Sequence, residues 1–451
     1  MKKEVRNHPI EKGNPKVIRG WIMYDWANSV YQLTIASTIF PIYYNQVTRS
    51  GPDDFTVRFF GYEVVNTVLY SWSIAAAYLV VAFLSPMLSS LADYTGRRKT
   101  FMQFFTWLGA LSCGTLFFFD ASNVELGIIA FTMGTIGYGG SIVYYNSFLP
   151  VICAPEEQDK VSARGYSMGY LGGVILLLFN LLMILKPGLF GITDPFLPAR
   201  ISFLTVFIWW IGFSQITFRR LPRYTHRKRH KGKDRNILLE GYRELDKVFH
   251  QIRRLRKLSF FLTGFFFVMM GLLTTMFMAA TYGEKELGLK DEVLIPTILI
   301  IQLVGMGGAW FFARLSARLG NLKALLISVF MWIFICIGAF FIVNSVQFMI
   351  AAFFIGLVMG GTQALARSTY SKMLPATTTD HTSFFSFYDV MEKLATVAGT
   401  FSFGIIEAIT GSMRYSVLAI AVFFAIGIVF LLITLAASPD DKRPGPALRH
   451  L

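Results

Sequence analysis

Long apolar segments recur along almost the whole chain, and no other feature constrains its fold as strongly. Hydrophobic residues make up 54% of the 451 residues and charged residues only 15%. A helix needs roughly 20 mainly apolar residues to cross a bilayer, and a spanning segment must satisfy its own backbone polar groups. The sequence predicts an all-α integral membrane protein with twelve transmembrane helices, near 20–46, 66–91, 100–119, 124–149, 162–186, 197–218, 259–282, 293–316, 322–343, 346–373, 384–410 and 413–437.

Basic residues are distributed unevenly over the predicted connections. Twelve spans place both termini on one side of the membrane, and that side receives 34 of the 42 Lys and Arg residues. Because short basic connections favour the cytoplasmic side, we expect both termini in the cytoplasm, in a bacterial cytoplasmic membrane. This topology accounts for the net charge of +15, which then gives no reason to expect a nucleic-acid partner.

A basic tract divides the predicted spans into two groups of six. It predicts an N-terminal six-helix bundle at 1–218, a cytoplasmic linker at 219–257 and a C-terminal six-helix bundle at 258–451. Apolar residues recur at helical spacing in the linker, at Leu238, Tyr242, Leu245, Phe249 and Ile252. Two interpretations remain open: an amphipathic helix that lies on membrane lipid, and a tether whose apolar residues pack under the bundles.

A charged turn between predicted spans two and three occurs again, in altered form, between spans eight and nine. The first copy is Ser89–Lys99 and the second is Arg314–Lys323. Such a repeat resembles the signature loop of the major facilitator superfamily of secondary transporters. The resemblance implies that Asp93 contacts the start of span eleven, near Ser383 and Phe384.

The chemistry of the first copy favours a contact that stabilises one state. The carboxylate of Asp93 can face the positive end of a neighbouring helix, while Arg97 and Arg98 bind acidic groups or lipid. In the second copy Ala317 occupies the acidic position and cannot make the same bond. We therefore expect an asymmetric pair of contacts.

The first predicted span carries an acid inside an apolar segment. A charge at Asp25 without a partner would cost about 3 kcal/mol or more, so we expect this residue to be paired, hydrogen-bonded or protonated. Anchoring or gating near the membrane surface is one role, since Arg19 lies six residues earlier. Direct substrate or proton chemistry is the other, for which the candidate residues are Tyr24, Asp25, Asn28, Asn146 and Gln363.

More polar residues lie near predicted span ends on the cytoplasmic side. Asp389 and Lys393 are four residues apart on one helix face, and we expect Arg367 to approach Asp389. A static tie between helices would use the same residue types, but alternating access requires contacts that form in one state only. The candidates for a cytoplasmic gate are Asp93, Arg97, Arg98, Arg164, Arg367, Asp389, Glu392 and Lys393.

Several strings together carry a narrower resemblance. They are Tyr24–Ser29, Phe148–Pro150, Ser162–Tyr166, Gly169–Gly173, Gly360–Ser368 and Phe384–Asp389 with Lys393. In this combination they resemble the "unknown major facilitator" family, related to fungal vacuolar effluxers of autophagy. The resemblance implies amino-acid release from the vacuole for the fungal relatives. This chain departs from the family at Met270, where an acid typically precedes the glycine of span seven.

We interpret the chain as an alternating-access transporter of small metabolites, with amino acids as the first substrate class. The alternative is a non-transporting membrane sensor or scaffold with the same fold. Proton coupling through Asp25, Asp389 or Glu392 and uncoupled transport both fit the sequence. There is no His-Glu-x-x-His pattern and no Walker-type loop, and we expect no enzyme activity, cofactor or metal site. Membrane lipid is an expected partner, and the oligomeric state stays open.

Overall fold

The structure is a computed structural model, and it describes residues 12–48, 56–222, 237–289, 291–375, 378 and 380–437. Most of these residues are helical. The helices are α1 (Pro15–Val30), α2 (Phe40–Thr48), α3 (Asn66–Thr95), α4 (Arg98–Thr115), α5 (Val124–Ser147), α6 (Leu149–Ile152), α7 (Gln158–Leu185), α8 (Leu197–Arg220), α9 (Ile237–Arg254), α10 (Arg256–Lys285), α11 (Asp291–Leu319), α12 (Asn321–Phe340), α13 (Ser345–Met373), α14 (His381–Thr410) and α15 (Met413–Ala436). Two strands, β1 (Thr56–Phe59) and β2 (Tyr62–Val65), lie between α2 and α3.

The helix that matches the first predicted span begins at Pro15, before the apolar run, and its helical geometry changes in the middle. The side chain of Asn14 accepts a hydrogen bond of 3.0 Å from the backbone two residues on, and Pro15 follows in the first turn. This combination is a favourable helix start. Between α1 and α2, Tyr31–Ile39 is π-helical, and Ser37 and Thr38 donate to carbonyls five residues earlier. Such wide turns often occur at functional sites.

A short antiparallel hairpin, β1–β2, lies in the connection between α2 and α3. Phe60 and Gly61 form its two-residue turn, with φ values of 47° and 85°, the left-handed geometry that tight hairpins prefer. The backbone N–H of Phe60 donates to Oε1 of Glu125, at the start of α5, at 3.0 Å. This hairpin connects two predicted spans, and its strands are too short for their alternation to predict them.

Ten helical stretches in the described ranges are long and apolar enough to cross a membrane, by length and composition alone. Neither α1–α2 nor α14 is among these ten. Those two stretches match predicted spans one and eleven, and they carry Asp25, Asp389, Glu392 and Lys393. Charged side chains lower the mean hydropathy of a helix, and the two stretches outside the ten are those that hold Asp25, Asp389 and Glu392, the candidates for proton coupling.

The buried apolar side chains of the described residues fall into clusters on either side of α9. One large cluster draws on residues 248–431 and two others draw on 27–210 and 21–221. A small fourth cluster joins the two sides and consists of Ala163, Ala309 and Ala364. Between the sides, α7 packs against α11 and α13, while α14 packs against α3 and α5. These six helices form most of the contact between the two parts.

Several connections lie on one side of the helices, which we call the basic face. It is defined by the α3–α4, α11–α12 and α13–α14 connections and by the start of α7, which approach one another closely. Lys and Arg residues at this face include Arg97, Arg98, Lys99, Lys372 and those of α9. The basic face is the side for which the sequence predicts a cytoplasmic position.

Helix α9 packs under the other helices with part of its apolar side. Val248 and Ile252 are buried in the 248–431 cluster, and the ring of Phe249 stacks on Phe387 of α14 at 6.0 Å. The helix contacts α3, α10 and α14, as the tether interpretation of the linker requires. The described side chains do not include Leu238, Tyr242 and Leu245, and the basic run at 223–236 also lies outside the described residues.

The crossing of α11 and α13 depends on glycine at Gly360. A Cβ at this position would overlap the carbonyl oxygen of Gly305 on α11. At Gly307, also on α11, a Cβ would meet no atom within 4 Å. The two glycines therefore differ in whether the packing tolerates a side chain.

We expect Gly360→Ala to lower the free energy of unfolding by about 1–3 kcal/mol, because the two helix backbones would have to separate. Gly307→Ala is the matched control and should be neutral or slightly stabilising, since alanine has the higher helix propensity. Thermal unfolding of the purified protein in detergent compares the two variants. Equal midpoints would contradict the tight crossing.

Candidate functional site

The centre of the candidate site is a buried ion pair between the two parts of the chain. Arg367 lies in the last third of α13 and Asp25 in α1, 342 residues apart in sequence. Nη1 and Nη2 of Arg367 are each 3.4 Å from Oδ2 of Asp25. The two residues are 2% and 6% exposed, so the charges are paired in the protein interior.

Polar groups bind the rest of the guanidinium. Its Nε donates to Oγ of Ser162 and its Nη2 to the Ser162 carbonyl, both at 2.9 Å, and Nη1 donates to Oδ1 of Asn146 at 3.3 Å. The Ser162 hydroxyl donates in turn to the carbonyl of Ala364 at 2.9 Å. The hydroxyl of Tyr145 donates to Oδ2 of Asp25 at 2.6 Å. A buried ion pair requires such additional hydrogen bonds to offset the loss of water.

Aromatic rings surround the same guanidinium. Its central carbon lies 4.2 Å from the ring centre of Tyr166, 4.8 Å from Trp21 and 5.6 Å from Tyr145. Trp21 stacks on Tyr145 at 4.4 Å and donates from Nε1 to the Tyr145 carbonyl at 2.9 Å. Arginine suits this position because its delocalised charge is weakly hydrated and attracted to ring faces. We call Asp25, Arg367 and these surrounding residues the Arg367 cluster.

Gly165 provides the space in which the ion pair lies. A Cβ at this position would overlap Oδ2 of Asp25 and would come within 3.0 Å of Nη2 of Arg367. Gly169, one turn later on α7, would place a Cβ against Oγ of Ser29 on α1. Close approach of α7 to α1 is therefore a condition for the Arg367 cluster.

The same stretch of α7 contains the letters of a hydrolase motif, since Gly165–Gly169 reads Gly-x-Ser-x-Gly. A nucleophile of that type requires a sharp strand-to-helix turn that exposes the serine. Ser167 lies instead within a continuous helix and donates from Oγ to the carbonyl of Met306 at 2.9 Å. Its contact joins α7 to α11 and does not form a nucleophile turn.

Asp93 accepts hydrogen bonds from the first turns of α14. Its Oδ2 accepts from the backbone N–H of Ser383 at 2.7 Å and from the Ser383 hydroxyl at 2.9 Å. Its Oδ1 accepts from the N–H of Thr382 at 3.3 Å and from Nε of Arg98 at 2.8 Å. A carboxylate at a helix N-terminus is favoured by the unpaired N–H groups and by the helix dipole. We call these residues the Asp93 contact.

The pairing that we expected between Arg367 and Asp389 is wrong. Asp389 pairs on its own helix with Lys393, at 3.3 Å between Oδ1 and Nζ, and Glu392 is 3.4 Å from the same nitrogen. Nζ of Lys393 lies 5.5 Å from the ring centre of Tyr78 on α3. Arg367 is already bound to Asp25, whose negative charge reaches it from the opposite side of the interface. α14 therefore carries a charge cluster of its own, the Lys393 cluster, formed by these residues of α14.

The remaining candidates for substrate contacts are distributed over different contacts. Tyr24 is fully buried, and its hydroxyl is 2.7 Å from Oγ1 of Thr106. Oδ1 of Asn28 accepts from its neighbour Ser29 at 3.5 Å. Oε1 of Gln363 accepts from the hydroxyl of Tyr170 at 2.6 Å, which connects α13 to α7. Only the contact of Gln363 joins the two parts of the chain.

Two predicted gate cations point away from the interior. Arg97 and Arg164 are exposed, and within the described ranges neither forms an ion pair. Helical spacing placed both near span ends but did not determine which way they face. Conversely, Arg367 is bound by three residues that were not among the site candidates predicted from the sequence: Ser162, Tyr166 and Trp21. Their residue types gave no functional signal. Two of them, Ser162 and Tyr166, lie in a string that carried the family resemblance.

Histidine, cysteine and acidic side chains do not converge in groups of three or more that could hold a metal ion in the described part of the chain. Cys113, Cys153 and Cys336 are buried and unbridged. Met270 is buried in the apolar cluster of residues 248–431, so apolar packing fills the position for which the family resemblance implied an acid.

Comparison with known proteins agrees with this architecture. A family model described as "Vacuole effluxer Atg22 like" matches residues 13–438. The chain is 28% identical to the "Uncharacterized MFS-type transporter YxiO" of Bacillus subtilis (strain 168), over 91% of this chain and 93% of the relative. It is 24% identical to "Autophagy-related protein 22" of Kluyveromyces lactis, over 91% and 92%. The crystal structure of the major facilitator transporter FucP in the outward conformation matches with a TM-score of 0.68 and 15% identity, covering 93% of this chain and 98% of that chain.

These findings define an integral membrane protein with the major facilitator fold, in a superfamily of transporters and not of enzymes. Within it, the chain belongs to the Atg22-like family of vacuole effluxers. The family model extends from just before α1 to just after α15 and so includes both parts of the chain.

Removing one partner of the central ion pair should be costly. We expect Arg367→Gln and Asp25→Asn each to lower the free energy of unfolding by about 3–5 kcal/mol, because the other charge would remain buried without its partner. The double variant should lose less than the sum of the two. Glu63→Gln is the control, since its pair with Arg58 is exposed and such pairs contribute about 1 kcal/mol or less. Strictly additive losses in chemical denaturation would contradict direct pairing.

We expect Gly165→Ala to open the basic face, because its methyl group would displace the carboxylate of Asp25. Gly212→Ala on α8 is the matched control, since a Cβ there meets no atom within 4 Å. Spin labels at the exposed positions Thr100 on α4 and Lys323 on α12 would report the distance across this face. A distance distribution in Gly165→Ala identical to that of the control would exclude this effect.

Proposed function

We propose that this chain is a secondary transporter that moves a small polar metabolite by alternating access. In this proposal it has twelve spans in two six-helix bundles, 1–218 and 258–451, joined by the linker 219–257. The separation of buried clusters on either side of α9 supports the two bundles. The excess of basic residues on one side supports cytoplasmic termini in a bacterial cytoplasmic membrane.

The observation that carries the proposal is the Asp25–Arg367 ion pair between the bundles. A buried ion pair is a weak device for static stability, because desolvation offsets much of the attraction between the charges. When the bundles separate on the basic face, the charges of Asp25 and Arg367 can both regain water. The closed and open states can then differ by little free energy, which a transport cycle requires. An apolar contact of the same area would expose hydrocarbon to water each time it opened.

Polar side chains from both bundles suggest the class of substrate. Tyr170 binds Gln363 across the interface, and the ring centres of Tyr166 and Tyr170 are 6.2 Å apart. Lys393, Asp389 and Glu392 add ionisable groups of both signs near Tyr78. A small zwitterion carries complementary charges, so amino acids are the first class to test. The relation to vacuole effluxers points to the same class.

Coupling of transport to protons is a separate part of this proposal, and it needs an acid that can accept a proton. Oδ2 of Asp389 is buried and has no hydrogen-bond partner among the described residues. Asp25, by contrast, has its Oδ2 bound by Tyr145 and Arg367. Asp389 is therefore the better candidate for a proton acceptor, with Glu392 next to it. Transport driven by the substrate gradient alone is the competing possibility.

Reconstitution tests the proposed function. Thermal-shift screening of the purified protein against amino acids and other small metabolites should identify stabilising ligands, whose counterflow is then measured in proteoliposomes. We expect Lys393→Met to lower flux about tenfold or more, because one charge contact to the substrate is lost, whereas Arg58→Gln in the hairpin should leave flux unchanged. Absence of both ligand stabilisation and flux would favour the sensor or scaffold alternative.

An imposed pH gradient separates the two driving forces. If Asp389 carries the proton, Asp389→Asn should abolish accumulation driven by the gradient and retain counterflow, since exchange needs no net proton movement. The measurement is uptake of the identified ligand with and without the pH gradient. Flux in the unmodified protein that does not depend on the gradient would remove the coupling proposal.

A further inference from the structure

The second copy of the charged turn contacts α7 in a way that its own sequence does not indicate. Ser316, at the end of α11, donates from Oγ to Oδ2 of Asp159 at 2.8 Å, and Nδ2 of Asn321, at the start of α12, is 2.5 Å from Oδ1. Nζ of Lys372, on α13, is 2.8 Å from Oδ2. Asp159 is 6% exposed, so one buried carboxylate joins three helices of the other bundle.

We infer that Asp159 is the acid of a second closing contact on the basic face, in which the acid and its hydroxyl partner have exchanged sides. The inference rests on the proposed alternating-access function and adds a residue to its gate. In the Asp93 contact the acid belongs to the turn and the serine to the facing helix, α14. In the Asp159 contact, formed by Asp159, Ser316, Asn321 and Lys372, the serine belongs to the turn.

An alignment of the two turns shows the exchange residue by residue. When the two copies are aligned on Gly96 and Gly320, Ala317 takes the position of Asp93. Ala317 itself is exposed, and its buried neighbour Ser316 faces Asp159. The turn thus provides the neutral donors Ser316 and Asn321, and the facing helix α7 supplies the charge.

The two contacts also differ in where the neutralising cation lies. Arg98 neutralises Asp93 from the same bundle, and the contacts of Asp93 with Thr382 and Ser383 of α14 are hydrogen bonds. Lys372 neutralises Asp159 from the opposite bundle, so an ion pair crosses the interface. Lys372 also donates to Oδ1 of Asn321 at 2.8 Å, which aligns the two donors. Its side chain is 22% exposed, and salt should weaken this contact more than the Asp93 contact.

A helix-terminus role is the simpler alternative. Asp159 lies in the first turn of α7, where an acid stabilises a helix through its dipole. That role would lower stability when the charge is removed but would involve neither Lys372 nor the distance across the basic face. The test must therefore measure opening as well as stability.

Spin labels at Thr100 and Lys323 in the full chain, in nanodiscs, give the fraction of molecules open on the basic face. We expect Asp159→Asn to raise the open-to-closed ratio about tenfold, in line with the loss of a charged hydrogen bond. Lys372→Met should raise it as well, and the double variant should add little to Asp159→Asn. Glu156→Gln is the matched control, because this exposed acid lies three residues away and should leave the ratio unchanged.

Asp93→Asn is the reference variant that distinguishes failure of the inference from failure of the proposed function. If Asp93→Asn opens the face and neither Asp159→Asn nor Lys372→Met does, the Asp159 contact is excluded as a gate while the proposed function survives. If none of the variants changes the ratio, both the inference and the proposed function fail. If Asp159→Asn does not fold, Lys372→Met at its partly exposed position decides: opening supports the inference and an unchanged ratio overturns it.

Discussion

The arrangement of the interface depends on one interaction, the burial of two opposite charges, Asp25 and Arg367, between parts of the chain that are far apart in sequence. Neither charge could be buried alone at an acceptable cost. Their neighbours are therefore determined by the pair: Ser162 and Asn146 bind the remaining donors of the guanidinium, Tyr145 binds the carboxylate, and aromatic rings exclude water. Glycine at Gly165 follows from the same requirement, because α7 must approach both charges at once.

Two further contacts on the basic face, the Asp93 contact and the Asp159 contact, also bury a carboxylate at the interface and satisfy it with partners from the other part of the chain. Each places a buried carboxylate at the start of a helix, where unpaired backbone N–H groups and the helix dipole favour negative charge. At α14 the carboxylate comes from a neighbouring turn, and at α7 it belongs to the helix itself. The internal repeat thus preserves the electrostatic arrangement at both helix starts although the residue at the equivalent turn position has changed from Asp93 to Ala317.

The sequence was most informative where local periodicity determines structure and least informative where distant segments meet. Apolar length predicted the ten helical stretches that are long and apolar enough to cross a membrane, and the resemblance of the first turn implied the contact between Asp93 and Ser383. Periodicity could not show that Arg367 binds Asp25 and not Asp389, because it contains no information on which helix faces meet. For the same reason Arg97 and Arg164 were expected at the gate, and Asp159 was not distinguished from the exposed acids beside it. The hairpin and the π-helical stretch depend on a few hydrogen bonds that leave little trace in composition.

The distribution of charge within the second part of the chain limits how any coupling could work there. Between Leu258 and Gly283, α10 carries no Asp, Glu, Lys or Arg, and apolar packing of Met270 fills the position for which the family resemblance implied an acid. The charges of the Lys393 cluster lie on α14 instead, and α14 contacts α3 and α5 of the other part. A charge on α14 that changed its protonation state would act directly at the interface between the bundles, since Lys393 reaches Tyr78 on α3. If the proposed cycle is coupled to protons, a coupling step on α14 would act on the helix whose N-terminus Asp93 already holds.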